Sequence, residues 1–197
     1  MKIAILSAVV SLSLLAAAGR AAGPSNLNSS FARVSLVTLS GHATLSFHPV
    51  SNQGFILVAI KDCSVVINGQ RSVMKTGGYK RVTGGQNLAL VQTDSKPISL
   101  VLVKVVSTAQ SLTVEATKLE SHEELEDASD QNATLLIAIN SMQLDDVRDL
   151  AGEDEHWKSG PKRTLQLLAG QNAWLKPGIH RLRNSGNTEA QFVTVEW

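Results

Sequence analysis

Apolar residues along the chain fall into short runs, with no helical period between them. Runs at 32–39, 43–47, 55–62, 64–67, 82–90 and 98–106 are dominated by Val, Ile, Leu, Thr and Ser. A weaker alternating run covers 111–117, and further runs cover 135–144, 164–168 and 191–197. Short β-branched runs bounded by turn residues predict β-strands. Asn68-Gly69 predicts a tight hairpin, because both residues tolerate positive φ. Gly77-Gly78 and Gly84-Gly85 mark two further reversals. Many short strands with Gly-rich turns predict an all-β sandwich, jelly roll or barrel.

Part of the pattern is stated twice. Leu57-Val58-Ala59-Ile60 returns as Leu136-Ile137-Ala138-Ile139, and Gly85-Gln86-Asn87 returns as Gly170-Gln171-Asn172. Each phrase leads to an apolar terminal strand, 100–105 and 191–197. A repeat at this spacing predicts two copies of one structural unit. The expected division is a leader at 1–21, a flexible lead-in at 22–31, a first copy at 32–117 and a second at 133–197. Residues 118–132, with Glu120, Glu123, Glu124, Glu126, Asp127 and Asp130, read as an acidic, solvated linker. Residues 145–162 read as a loop of the second copy. Two small units would each be marginal alone, so tight packing between the copies is expected.

Met1-Lys2 followed by an uncharged apolar run to Ala18 and small residues at 16–21 has the layout of a secretory signal peptide. That run is shorter than the ~20 residues of a membrane span, so the expectation is a secreted or periplasmic protein with no span after cleavage. The net charge of +1, the lack of a basic block and the 4 % aromatic content argue against nucleic acid as a partner. Cys63 is the only cysteine, which excludes an internal disulfide; its apolar run predicts a buried small hydrophobe.

The run Gly170-Gln171-Asn172-Ala173-Trp174-Leu175-Lys176-Pro177-Gly178-Ile179-His180-Arg181-Leu182-Arg183-Asn184 resembles the closing motif of the cupin superfamily. There a turn of the type G-D-x-x-x-x-P-x-G leads to a His and, four positions on, an Asn. Pro177, Gly178, His180 and Asn184 match, with a shorter Gly-to-His spacing. His48-Pro49 resembles the end of the opening motif, H-x-H-P-x-x-x-E, with Ser46 in place of the first His and Gln53 in place of the Glu. The resemblance implies a duplicated cupin-like jelly-roll β-barrel, a compact bicupin, and in intact members a transition metal held by three His and a Glu.

Neither copy presents that ligand set. His180 and His48 are the residues the resemblance places at a metal, and without partners both read as remnants. His180, Trp174, Asn184 and His156 are the candidates for contact with a ligand at the mouth of the second barrel. Three readings of function stay open. The leading one is a non-catalytic binding or structural protein with degenerate metal sites and no cofactor, taking a small polar molecule such as a sugar. An interaction role would pair two copies as a homodimer. The alternative is a metal-dependent cupin enzyme, an oxidoreductase or decarboxylase, in which a divalent transition metal is held by His180, with His156 and a carboxylate completing the set.

Overall fold

A computed structural model describes residues 32–48, 54–82, 87–106, 112–127, 133–151 and 157–197. Sixteen strands account for most of them. The first eight are β1 (Ala32–Leu39), β2 (Thr44–Phe47), β3 (Gly54–Ala59), β4 (Cys63–Ile67), β5 (Gln70–Met74), β6 (Tyr79–Val82), β7 (Leu88–Val91) and β8 (Ile98–Val105). The second eight are β9 (Thr113–Leu119), β10 (Glu124–Asp127), β11 (Thr134–Ala138), β12 (Met142–Ala151), β13 (Trp157–Leu167), β14 (Asn172–Leu175), β15 (Ile179–Asn184) and β16 (Ala190–Glu196). They form four antiparallel sheets, β1-β8-β3-β6, β2-β7-β4-β5, β14-β11-β16-β9 and β10-β15-β12-β13. Adding eight to each strand number of the first two sheets reproduces the last two. The protein is therefore two jelly rolls of one topology, an all-β, duplicated cupin-like fold.

Three apolar layers hold the four sheets together. Phe55, Leu57, Ala59, Leu100 and Leu102 fill the first jelly roll. Leu136, Ala138, Leu144, Leu175, Leu182 and Phe192 fill the second. The alternate residues of the same strands form a third layer between the copies: Ile56, Val58, Val101 and Val103 against Leu135, Ile137, Val193 and Val195. This explains the unbroken apolar runs. An antiparallel sheet usually wets one face and alternates apolar with polar, but β3, β8, β11 and β16 are covered on both. The expected packing between copies is this middle layer, closed by Trp174 and Trp197 with ring centroids 5.2 Å apart.

The hydrogen bonds identify which positions correspond. The Gly77 N–H donates to the Ala59 carbonyl and the Ala59 N–H to Gly78; in the second copy Gly170 and Gln171 exchange the same bonds with Ala138. Gly77 and Gly170 both have positive φ, 74° and 83°. Ala59 and Ala138 lie 79 positions apart and Gly77 and Gly170 93 apart, so the second copy carries 14 extra residues between them (93 − 79). The extra residues lengthen one hairpin. Where Asn68-Gly69 turns tightly between β4 and β5, β12 and β13 run on for 10 and 11 residues. Residues 145–151 and 157–162, expected as loop, are thus strand.

Two other sequence expectations are corrected here. The Gly-Gln-Asn phrases are not equivalent: Asn87 precedes β7, whose counterpart is β15, whereas Asn172 begins β14, the counterpart of β6. The true counterpart of Gly170 is Gly77. The acidic stretch 118–132 is not a linker, since its described part ends β9 and supplies all of β10. Its charge has a local cause. Glu124 and Glu126 stand opposite Arg183 and Arg181 of β15, and opposite charges across a strand pair are favourable. The second copy therefore begins at Thr113, and the leader and lead-in lie outside the described residues.

Ile137 belongs to the layer between the copies and is fully buried. Ile137→Ala is expected to cost about 2–5 kcal/mol, read by urea unfolding, with both copies still lost in one transition; Leu36→Ala, at a side chain 55 % exposed, is expected to change little. The turn at Gly77 yields a second prediction. Asp62 accepts hydrogen bonds from Lys75 Nζ and from the Thr76 N–H and hydroxyl, and these hold its carboxyl down at about 2 from an ordinary 3.8. A carboxyl lower in the folded than in the unfolded chain stabilises above its unfolded value and loses that contribution as pH falls through the folded one. The stability gap between the wild type and Asp62→Asn is expected near neutral pH and is expected to close as pH falls from 3.8 to about 2.

Candidate functional site

The duplication supplies an internal control for the interior of the second barrel. The Asn184 N–H donates to Glu123 as the Gln92 N–H donates to Ala43, and each side-chain amide donates to a carbonyl four residues on, Thr188 and Lys96. Asn184 and Gln92 therefore correspond, which aligns His180 with Leu88 and Leu182 with Leu90. The pairings of β4 with β7 and β12 with β15 then align Asp146 with Ile67. Along β1 and β8, the counterparts of Thr117, Glu115, Thr194 and Glu196 are Val37, Ser35, Leu102 and Lys104. The first barrel is filled by Ile67, Leu88 and Leu102. At the same places the second carries Asp146, His180 and Thr194.

His180 is 4 % exposed and both of its ring nitrogens are engaged. Nδ1 lies 2.6 Å from Asp146 Oδ1 and Nε2 lies 2.7 Å from the Lys176 carbonyl oxygen. A carbonyl and a carboxylate only accept, so the geometry is fully satisfied by a ring with a proton on each nitrogen. On its other side, Asp146 Oδ2 accepts from Arg163 Nη2 at 2.9 Å. Burial of such a group is tolerable because every charge in it faces an opposite one.

The same carbonyl and carboxylate decide the question of a metal. Ligation needs a ring nitrogen with its lone pair available, and both nitrogens of His180 are directed at acceptors within the chain. His48 lies in the other jelly roll, is exposed, and its Nδ1 is 3.2 Å from Asn87 Oδ1. His180 and His48 are not brought together, and among the described residues no three His, Cys, Asp or Glu side chains converge. The described donors do not fit the metal centre that the resemblance implies.

The remaining candidates separate. Asn184 is fully buried and clamps the chain: its Nδ2 donates to the carbonyls of Leu119, Glu120 and Thr188, and its Oδ1 accepts from Gly186 N–H. All of its capacity goes to backbone, so it holds the turn after β9 rather than facing a ligand. Trp174, placed by the sequence at the mouth of the second barrel, points the other way, into the layer between the copies. Its neighbour Leu175 takes the interior position. His156 lies outside the described residues, as do Pro49 and Gln53 of the opening motif.

On the outer face, ion pairs brace the long hairpin. Arg181 donates through Nε and Nη2 to the two carboxylate oxygens of Asp149, at 3.1 and 2.9 Å, and this carboxylate raises the Arg181 guanidinium above its ordinary value. Asp145 accepts from the Thr164 hydroxyl and from Lys162 Nζ, which lower its carboxyl. Gly178 has φ of 143°, and a Cβ there would stand 2.5 Å from Arg148 Nε. Glycine in the Pro177-Gly178 turn thus lets the Arg148 side chain lie across it.

Sequence reasoning missed the opening in this barrel. β9 and β10 are edge strands of their sheets, and between them a cleft of about 460 Å³ reaches the interior. Its inner wall is Glu115, Thr117, Leu125, Leu182, Thr194 and Glu196. Thr194 is 8 % exposed, and its hydroxyl has no hydrogen-bond partner among the described residues. Only the period-2 alternation of Glu115, Thr117 and Leu119 on β9, and of Thr194 and Glu196 on β16, could have marked this wall in the sequence.

Comparison with solved structures agrees with the fold. An oxalate decarboxylase of Lactobacillus farciminis in complex with formate superposes with a TM-score of 0.63 at 8 % identity, over 84 % of this chain and 76 % of that one. A vicilin of Capsicum annuum gives 0.62 at 9 % identity, over 87 % and 78 %. AerE of Microcystis aeruginosa gives 0.60 at 10 % identity, over 83 % and 86 %. No protein-family model and no curated protein sequence matches the chain. The likeness is one of fold: a duplicated, cupin-like jelly roll, found here in an oxalate decarboxylase and in a vicilin.

The buried pair predicts a non-additive outcome. His180→Leu leaves the Asp146 carboxylate facing an apolar side chain, and Asp146→Ile leaves the imidazole so; each is expected to cost roughly 3–5 kcal/mol. The double variant recreates the Ile67 and Leu88 arrangement of the first copy. It is expected to be more stable than either single variant in urea unfolding, and additive losses would contradict the alignment of the two barrels.

Proposed function

We propose that the protein is a non-catalytic binding protein of the periplasm or cell exterior, in which the first jelly roll is a structural support and the second takes a small polar ligand. The observation that carries this reading is the difference between the two interiors. Polar groups occupy the second barrel where its twin is apolar, and one of them, Thr194, lines an open cleft of about 460 Å³. Pockets that hold small ligands have volumes of this order, roughly 300–1,000 Å³, and combine apolar walls with a few placed polar groups. An unneeded polar interior would lose stability relative to the packed one. Export is supported by Lys2 and the apolar run 3–18.

A metal-dependent reaction is disfavoured by the donor set, because His180 is held at both nitrogens and His48 belongs to the other copy. The likeness to oxalate decarboxylase is one of fold, and cupin barrels host many chemistries.

Two measurements test the reading. After expression with Mn, Fe, Ni and Zn supplied, metal analysis of the protein is expected to find none near stoichiometry, with the same result for His180→Ala. Near-stoichiometric metal that disappears in His180→Ala would restore the enzyme reading. A thermal-shift panel of neutral sugars, aliphatic amines and dicarboxylates is expected to raise Tm for at least one class in the wild type and for none in Thr194→Leu. A panel that shifts neither protein would remove the binding role.

A further inference from the structure

The walls of the cleft differ in kind. Glu115 and Glu196 face it from the sheet β14-β11-β16-β9, and Glu126 stands at its rim. Lys118 is the only cationic side chain in the lining, and its Nζ leans away toward Glu189 Oε1 at 3.8 Å. The opposite wall is apolar, formed by Leu125 and Leu182. Between them are the hydroxyls of Thr117 and Thr194. Thr194 is more than nine-tenths buried and its hydroxyl has no partner within the described residues. The hydroxyl is not sealed from solvent; it opens onto the cleft, a space large enough for another molecule.

The first copy shows what the same wall looks like without this character. Ser35, Val37, Leu102 and Lys104 stand where Glu115, Thr117, Thr194 and Glu196 stand in the second. Leu102 fills the interior, and the charge at the mouth is reversed from Lys104 to Glu196. The second copy thus differs by added negative charge, added hydroxyls and a vacated apolar volume, while retaining the leucines at 125 and 182.

We propose that the cleft between β9 and β10 binds a small organic cation, an aliphatic amine or diamine. Its ammonium is held by Glu115 at the mouth, a hydrogen-bonding atom meets Thr194 inside, and its carbon chain lies on Leu125 and Leu182. This rests on the reading of the second barrel as a binding module and adds the class of ligand. A carboxylate and an ammonium form a charge-assisted hydrogen bond. The leucines select a cation with an apolar body over a hydrated metal ion, since burying methylene groups against them is favourable.

Calorimetric titration of the full chain with 1,4-diaminobutane tests this, with 1,4-butanediol, succinate, glucose and Ca²⁺ as comparison probes. Diaminobutane is expected to bind and butanediol, of equal length but uncharged, to bind at least roughly tenfold more weakly. Glu115→Gln, at an exposed position that leaves the fold intact, is expected to weaken diaminobutane roughly tenfold. Thr194→Leu, which installs the residue type of the first copy, is expected to abolish binding, with circular dichroism confirming the fold. Asp62→Asn, in the other jelly roll, is expected to leave affinity unchanged.

Several results would overturn the proposal. Equal binding of diaminobutane by the wild type and Glu115→Gln would place it elsewhere. Binding of Ca²⁺ that excludes it in a Glu115-dependent way would make the cleft an inorganic cation site. Thr194-dependent binding of glucose or succinate without binding of the diamine would refute the cation and leave the binding module standing. If no probe binds, the amine assignment falls.

Discussion

The fold depends on burying both faces of two sheets at once. The strands β3, β8, β11 and β16 each send alternate side chains into their own jelly roll and into the layer between the copies. A single jelly roll of this size would have to wet one of those faces, leaving Ile56, Val58, Val101 and Val103, or Leu135, Ile137, Val193 and Val195, in water. Apolar burial contributes about 25 cal/mol per Å², so the middle layer adds stability that neither copy supplies alone. It also fixes their geometry, because a one-residue slip in any of the four strands would exchange its two apolar sets.

That surplus bears on where polar groups can be tolerated. The first barrel is packed throughout with leucine, isoleucine, valine and phenylalanine. The second carries Asp146 and His180 among its buried residues and an open cleft along its edge strands. Polar interiors and cavities lower stability, and a twin with an apolar interior, joined through an extensive common core, offsets that. Duplication has placed the packed interior in one jelly roll and the polar interior in the other.

Much of the architecture was legible in the sequence. The doubly buried strands were visible as the near-identical runs 57–60 and 136–139, because burial on both faces removes the polar alternation that would otherwise disguise a strand. The repeat itself was placed less well. The Gly-Gln-Asn phrases share letters but sit before different strands, while the true pair, Gly77 and Gly170, shares only a backbone conformation and two hydrogen bonds. Glycine at positive φ is conserved by geometry rather than by its neighbours. The acidic run 118–132 was misread because charge usually signals solvent; here it matches the basic strand Ile179–Asn184 across a ladder, and that complement lies more than fifty residues away in the chain. The site was less legible still. His180 stands out in a motif, but its meaning is set by Asp146 and Lys176, and no spacing reveals that both nitrogens are occupied. Trp174 and Leu175 differ by one position and face opposite layers, which only the register decides.

The middle layer also sets an order in time. A growing chain completes the ladder of the first jelly roll when Val105 appears, and that unit can then close around its own core. Its outer apolar face must wait for Val193 and Val195, which are made some ninety positions later (193 − 103). During that interval the half-made protein carries a sticky flat sheet with no mate, the kind of surface that pairs with a neighbouring chain. A nascent copy of this molecule is therefore most vulnerable after its first half has folded correctly, and anything that delays the second half, such as a slow stretch of synthesis, lengthens the exposure.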